Sequence, residues 1–143
     1  MNEVMTVGYE GRTVDELIEV LTQAGVRVLV DVRLTPLSRK PGMSKCRLAD
    51  ALRNVDIDYV HLPGLGNPRD NRDALRHGEP EGRQRYRAVL QSPRGSRALG
   101  LLAALVPQRI AVMCFERTAA ECHRSMVAEA LVEMSPDLRV RDL

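Results

Sequence analysis

The densest run of residues able to do chemistry is one short span, Cys114 to Met126, which reads CFERTAAECHRSM. Two cysteines, a histidine, two glutamates and two arginines lie within it. Cys114 ends an apolar run and a capped helix is predicted directly after it. In that order of strand, loop and helix, helix amides can lower a thiol's pKa and bind an oxyanion, which makes Cys114 a candidate nucleophile. Phe115, Glu116 and Arg117 form no phosphate cradle, however, and a neighbouring carboxylate raises a thiol's pKa. A buried strand cysteine is the competing reading. Cys122 and His123 are adjacent, so on a helix their side chains diverge by about 100° and share one metal poorly. No C-x-x-C pair occurs, and a zinc site would need Cys114, His61 and His123 to be gathered by the fold. No metal site is expected.

Three other places carry candidate groups. GYEGRT, from Gly8, is a glycine-rich turn that can cradle a phosphate on backbone N–H groups or simply reverse the chain. It lacks the G-x-G-x-x-G dinucleotide pattern. Asp31 ends a second apolar run, where a carboxylate is costly unless it pairs or works. Arg33 is within reach, so a salt bridge and a catalytic role are both open, and Arg39 and Lys40 add a cationic lip suited to phosphate. His61 shares a strand face with Tyr59. General base, phosphate partner, metal ligand and structural histidine all remain open for it.

Elements of alternating kind must position these groups. Val4–Val7 reads as a strand, followed by a helix that Thr13 and Glu16 cap and Gly25 ends. Val26–Val32 is a nearly continuous apolar strand, the kind covered on both faces in a parallel sheet. A loop rich in proline and cations follows, then a helix capped by Ser44, a third strand over Ile57–Pro63, and a long polar loop from Gly64. Two helical segments meet at Ser92-Pro93, RIAVMCF is the fourth strand, Thr118 with Glu121 repeats the capping-box spacing, and LRVRDL suits a fifth strand. The pattern predicts a single domain over 1–143, a three-layer α/β/α sandwich on a mostly parallel, Rossmann-like sheet of four to five strands. Ligands of such sheets bind beyond the carboxyl ends of the strands, where nearly all the unusual residues fall.

With 44% hydrophobic and 28% charged residues the composition is that of a globular protein. Four aromatic residues and no tryptophan argue against a stacking platform for single strands. The net charge of +2 implies no polyanion partner by itself, yet Arg69, Arg72, Arg76, Arg83, Arg85, Arg87, Arg94 and Arg97 crowd the middle of the chain. Three cysteines without a secretory leader suggest no disulfide, and no apolar run reaches the roughly 20 residues of a membrane span. The expected location is the cytoplasm.

Together TVGYEGRTVDELIEVL, VLVDVRLTPLSRKPGMSK, YVHLPGLG and VMCFERTAAECHRSMVAEAL closely resemble the bacterial and archaeal family catalogued as domain of unknown function 488. The likeness spans nearly the whole chain, with four separated motifs in the family's order. It implicates Gly8, Tyr9 and Gly11, then Asp31, Arg33, Pro36, Ser38 and Lys45, then His61 with Leu65 and Gly66, and finally Cys114, Glu116, Cys122, His123 and Arg124. The family often carries aspartate and proline where this chain has Thr118 and Ala119, and the run around Cys46 departs from its pattern, which sets that thiol aside. The resemblance brings no established reaction, and nothing names a cofactor or an oligomeric state.

The functional expectation is a hydrolase or transferase holding a phosphate-bearing substrate, such as a nucleotide or nucleic-acid fragment. Gly8, Tyr9, Arg33, Ser38, Lys45 and Arg124 would bind it, and Asp31, Glu116 and His123 or His61 would share acid/base duty. The alternatives are a non-catalytic nucleotide or nucleic-acid binding module and a metal-dependent hydrolase. No membrane partner is expected.

Overall fold

In the computed structural model, which describes residues 2–143, the first apolar run is β1 (Glu3–Gly8) and Thr13 opens α1 (Val14–Gln23). The Thr13 hydroxyl accepts the Glu16 N–H at 3.1 Å and the Glu16 carboxylate accepts the Thr13 N–H at 2.9 Å, the reciprocal capping box that their spacing predicts. The chain continues through β2 (Val28–Asp31), α2 (Lys45–Arg53), β3 (Asp58–His61), α3 (Arg72–Arg76), α4 (Pro80–Gln91) and α5 (Pro93–Leu105). It ends in β4 (Ile110–Cys114), α6 (His123–Met134) and β5 (Arg139–Asp142).

All five strands are parallel, in the order β3-β2-β4-β1-β5. Strand alternation sorts the core into two halves. Met5, Val7, Leu29, Ala111 and Met113 pack with Leu17 and Leu21 of α1 and Leu48 and Leu52 of α2. Val4, Val28, Val30, Ile110 and Val112 point the other way, toward Tyr86 of α4, Leu102 of α5 and Met126, Val127 and Leu131 of α6. The result is the expected three-layer sandwich, and the fifth strand is present. No helix among the described residues is long and apolar enough to cross a membrane.

Three local expectations are corrected. Ser44 precedes α2 without capping it, because its hydroxyl accepts the Ser38 N–H at 3.0 Å and donates to the Ser38 carbonyl at 3.3 Å, closing the loop between them. The polar segment after Pro63 is no open loop. It folds into 3₁₀ turns at Pro63–Leu65 and Arg69–Asn71, then α3, and the buried Asn71 amide ties its ends by donating to Asn67 Oδ1 at 2.9 Å and to the Gly82 carbonyl at 3.0 Å. Thr118 leads into a 3₁₀ turn (Ala119–Glu121) rather than capping α6, which starts four residues later with Cys122 in extended conformation as its N-cap. The late start has a cause in Arg124. Fully buried in the first turn of α6, it donates to the Glu116 and Arg117 carbonyls, so the residues between must fold back over the helix end.

Tyr86 joins that segment to α4, its hydroxyl donating to the Leu65 carbonyl at 2.6 Å. Burial pushes its pKa well above the ordinary 10.0. Below pH 10 the folded and unfolded chains bind the same proton here; above it the unfolded tyrosine ionises and Tyr86 does not, so stability is lost as pH rises past 10.0. Urea midpoints measured from about pH 9 to about pH 11 should fall, and Tyr86→Phe should flatten the fall while costing about 1–3 kcal/mol at neutral pH for the unpaired carbonyl.

Candidate functional site

The strand ends come together where two loops run side by side. Gly8 of β1 lies opposite Cys114 of β4, and Asp31 of β2 lies between Met113 and His61. Beyond them the Glu10 N–H donates to the Phe115 carbonyl at 2.9 Å, and the Arg117 N–H donates to the Glu10 carboxylate at 3.1 Å. Between this double loop, the segment after β2 and α3 opens a cleft of about 250 Å³. Tyr9, Arg33, Cys114, Glu116, Cys122 and His123 all line it.

Several charged candidates turn out to be structural within it. Asp31 is fully buried and accepts from Arg33 three ways, from the backbone N–H at 3.0 Å, from Nε at 2.9 Å and from Nη2 at 2.7 Å, and also from the Tyr59 hydroxyl. Burial opposes the charge on Arg33, but the hydrogen bonds and charge of Asp31, with Tyr9 adding to them, more than offset it and raise the guanidinium's pKa. Its remaining nitrogen, Nη1, donates to the Tyr9 hydroxyl at 3.2 Å, and Tyr9 packs edge-on against Phe115. Asp31 and Arg33 therefore brace one wall of the cleft through these paired contacts.

Arg124 is likewise held through its terminal nitrogens, while its buried Nε has no hydrogen-bond partner among the described residues. Its two terminal nitrogens hold the carbonyls of Glu116 and Arg117, and Nη1 also donates to Cys114 Sγ at 3.2 Å. It clamps the loop and contacts no open solvent. His61 is half-buried with Nε2 on the Arg33 carbonyl at 2.8 Å, and it does not line the cleft. Ser38 and Lys45 lie on a separate shallow surface beside the start of α2. At Gly8 a Cβ would strike the Glu116 carbonyl, so its lack of a side chain lets the loop after β4 cross β1.

What the cleft does gather is Glu116, His123 and the two cysteines. Glu116 is mostly buried, its Oε1 accepting from Arg76 Nη2 at 3.3 Å and its Oε2 lying 3.6 Å from Cys114 Sγ. His123 Nε2 sits 2.8 Å from the Val32 carbonyl, which can only accept, so Nε2 carries the proton. Burial lowers the imidazole's pKa, and Nδ1 lies 3.5 Å from Cys122 Sγ. The expectation of no disulfide is corrected here: Cys114 and Cys122 are paired, and the exposed Cys46 is the free cysteine. The pairing follows from the extended Cys122, which aims its sulfur at the strand end instead of out along the helix. A Cys114 thiolate nucleophile exists only in the reduced chain.

Arg72 and Arg76 are the functional candidates that the motifs missed. Both belong to α3 and line the cleft, and Arg72 makes no ion pair among the described residues. The crowding of arginines in the middle of the chain pointed to a basic surface. Spacing four apart on one short helix, around the buried Leu75, was the signal that these two share a face.

No curated protein and no solved structure significantly matches the chain. The family model described as Domain of unknown function DUF488 matches residues 13–131, which take in α1 to β4, the loop after β4 and most of α6. With that span aligned, the chain belongs to the DUF488 family.

Proposed function

We propose that the cleft is the active site of a hydrolase or transferase acting on a phosphate-bearing substrate, a nucleotide or nucleic-acid fragment. The observation that carries this reading is the convergence of Arg72 and Arg76 with Glu116 on one cleft beyond the strand ends. Two guanidiniums four residues apart suit a phosphate's oxygens, Arg72 having no carboxylate to give up. Glu116, held by Arg76 and facing the cleft, is the group best placed to take or return a proton at the reacting oxygen.

The test is phosphate or nucleotide release from a panel of nucleoside mono-, di- and triphosphates and short oligonucleotides, followed by product mass. With the substrate found, Glu116→Gln should lower kcat at least about a hundredfold, with the fold intact by circular dichroism. Arg72→Ala should act mainly on KM. Should no phosphate ester in the panel turn over, or Glu116→Gln retain full activity, the enzymatic reading fails. The same cations could instead serve a module that only binds, whose affinity would survive Glu116→Gln and fall steeply with salt.

A further inference from the structure

From the floor of the cleft we infer that Cys114, Cys122 and His123, once reduced, form a zinc-class metal site with one coordination position open to the cleft. The two Sγ atoms and a ring nitrogen of His123 all lie within 4.8 Å of one another, and all three residues are buried. Adjacent positions in a helix could not do this. They converge because Cys122 stands outside α6 in extended conformation, φ −129° and ψ 149°, while His123 begins the helix.

Both cysteines also pack within the apolar core, and the polar contacts around them are those a metal site would use. The Val32 carbonyl takes the Nε2 proton, which fixes the tautomer and presents the Nδ1 lone pair to the sulfurs, as the outer partner of a ligating histidine does. Arg124 donates to Cys114 Sγ at 3.2 Å, a contact that favours thiolate and offsets the Glu116 carboxylate 3.6 Å from the same sulfur. Two thiolates bound tetrahedrally to one zinc at about 2.3 Å hold their sulfurs about 3.8 Å apart, so the metal enters only once the Cys114–Cys122 bond is opened. Two thiolates and an imidazole select zinc over calcium or magnesium, and three protein ligands leave the fourth position to a water in the cleft beside Glu116.

In a reducing buffer a phosphine cleaves the Cys114–Cys122 bond, becoming its oxide as water supplies the oxygen and the two protons of the thiols. The metal then displaces those two protons to solvent. This site does not rest on the phosphate reading, and its test reads metal rather than turnover. Phosphine-reduced protein is titrated with cobalt(II), then zinc(II). The expected result is one cobalt per chain with thiolate charge-transfer absorption and tetrahedral visible bands, both erased by one equivalent of zinc. Zinc should also shield Cys114 and Cys122, but not Cys46, from alkylation. Wild-type protein that shows no thiolate-to-cobalt absorption overturns the site whether or not any variant folds. So does absorption that survives in Cys122→Ser and His123→Ala but vanishes in Cys46→Ser.

Discussion

Alanine at position 31 is expected to destabilise the protein by about 3–5 kcal/mol, the usual result of removing one partner from a buried ion pair. Asp31 has no exposed surface and Arg33 has 6%, so the guanidinium left behind could not easily reach water and, as an arginine, would keep its proton. The Tyr59 hydroxyl would lose its acceptor in the same step. Replacing both charges, in Asp31→Leu with Arg33→Met, should recover much of that loss, because the cost lies in the orphaned charge rather than in the absence of the pair. Urea denaturation of the two variants measures both values. A loss under about 1 kcal/mol for Asp31→Ala would mean that Arg33 is rehydrated, and the brace it gives Tyr9 would then be dispensable.

Gly8→Ala should cost at least about 3 kcal/mol, at the upper end of overpacking penalties, for a geometric reason. The added carbon would meet the Glu116 carbonyl group and lie 2.9 Å from Arg117 Cα, all of it backbone that cannot rotate away. Relief would require moving the loop that Arg124 clamps, so the strain spreads to Cys114 and Glu116. The control is Gly100→Ala in α5, where a Cβ meets nothing within 4 Å. There alanine should stabilise by up to about 1 kcal/mol through helix propensity. Equal denaturation midpoints for the two variants would refute the crossing of β1 by the loop after β4.

The fold was legible because it rests on short-range signals. Apolar runs of four to six residues, each punctuated by glycine, proline or a capping threonine, carry the β/α alternation, and Thr13 with Glu16 caps α1 as its spacing requires. Thr118 with Glu121 has the same spacing and no cap, since the buried Arg124, a tertiary demand, decides where α6 begins. The site was legible in place but not in role. Tyr9, Arg33, Cys114, Glu116 and His123 sit at the cleft because strand ends converge there, yet nothing local tells a free cation from a spent one: Arg33 and Arg124 are consumed internally while Arg72 stays open. Arg72 and Arg76 reach the cleft through the folding back of the segment between Pro63 and Gly82, a path that Asn71 fixes through side-chain contacts no periodicity reveals.

The strand order also governs how the chain can assemble during synthesis. β1 emerges first, but its two neighbours are β4 and β5, and its register sets Met5 beside Ala111, roughly a hundred residues later. β2 can pair early with β3, while β1 has both edges unpaired until the ribosome has released β4. A nascent chain therefore carries an apolar strand in search of a partner while the residues between β1 and β4 are added, at elongation rates of about 5–20 residues per second. The central strand, β4, arrives after β1, β2 and β3 and joins β1 to β2 in one step, bringing Cys114 and the start of the cleft with it.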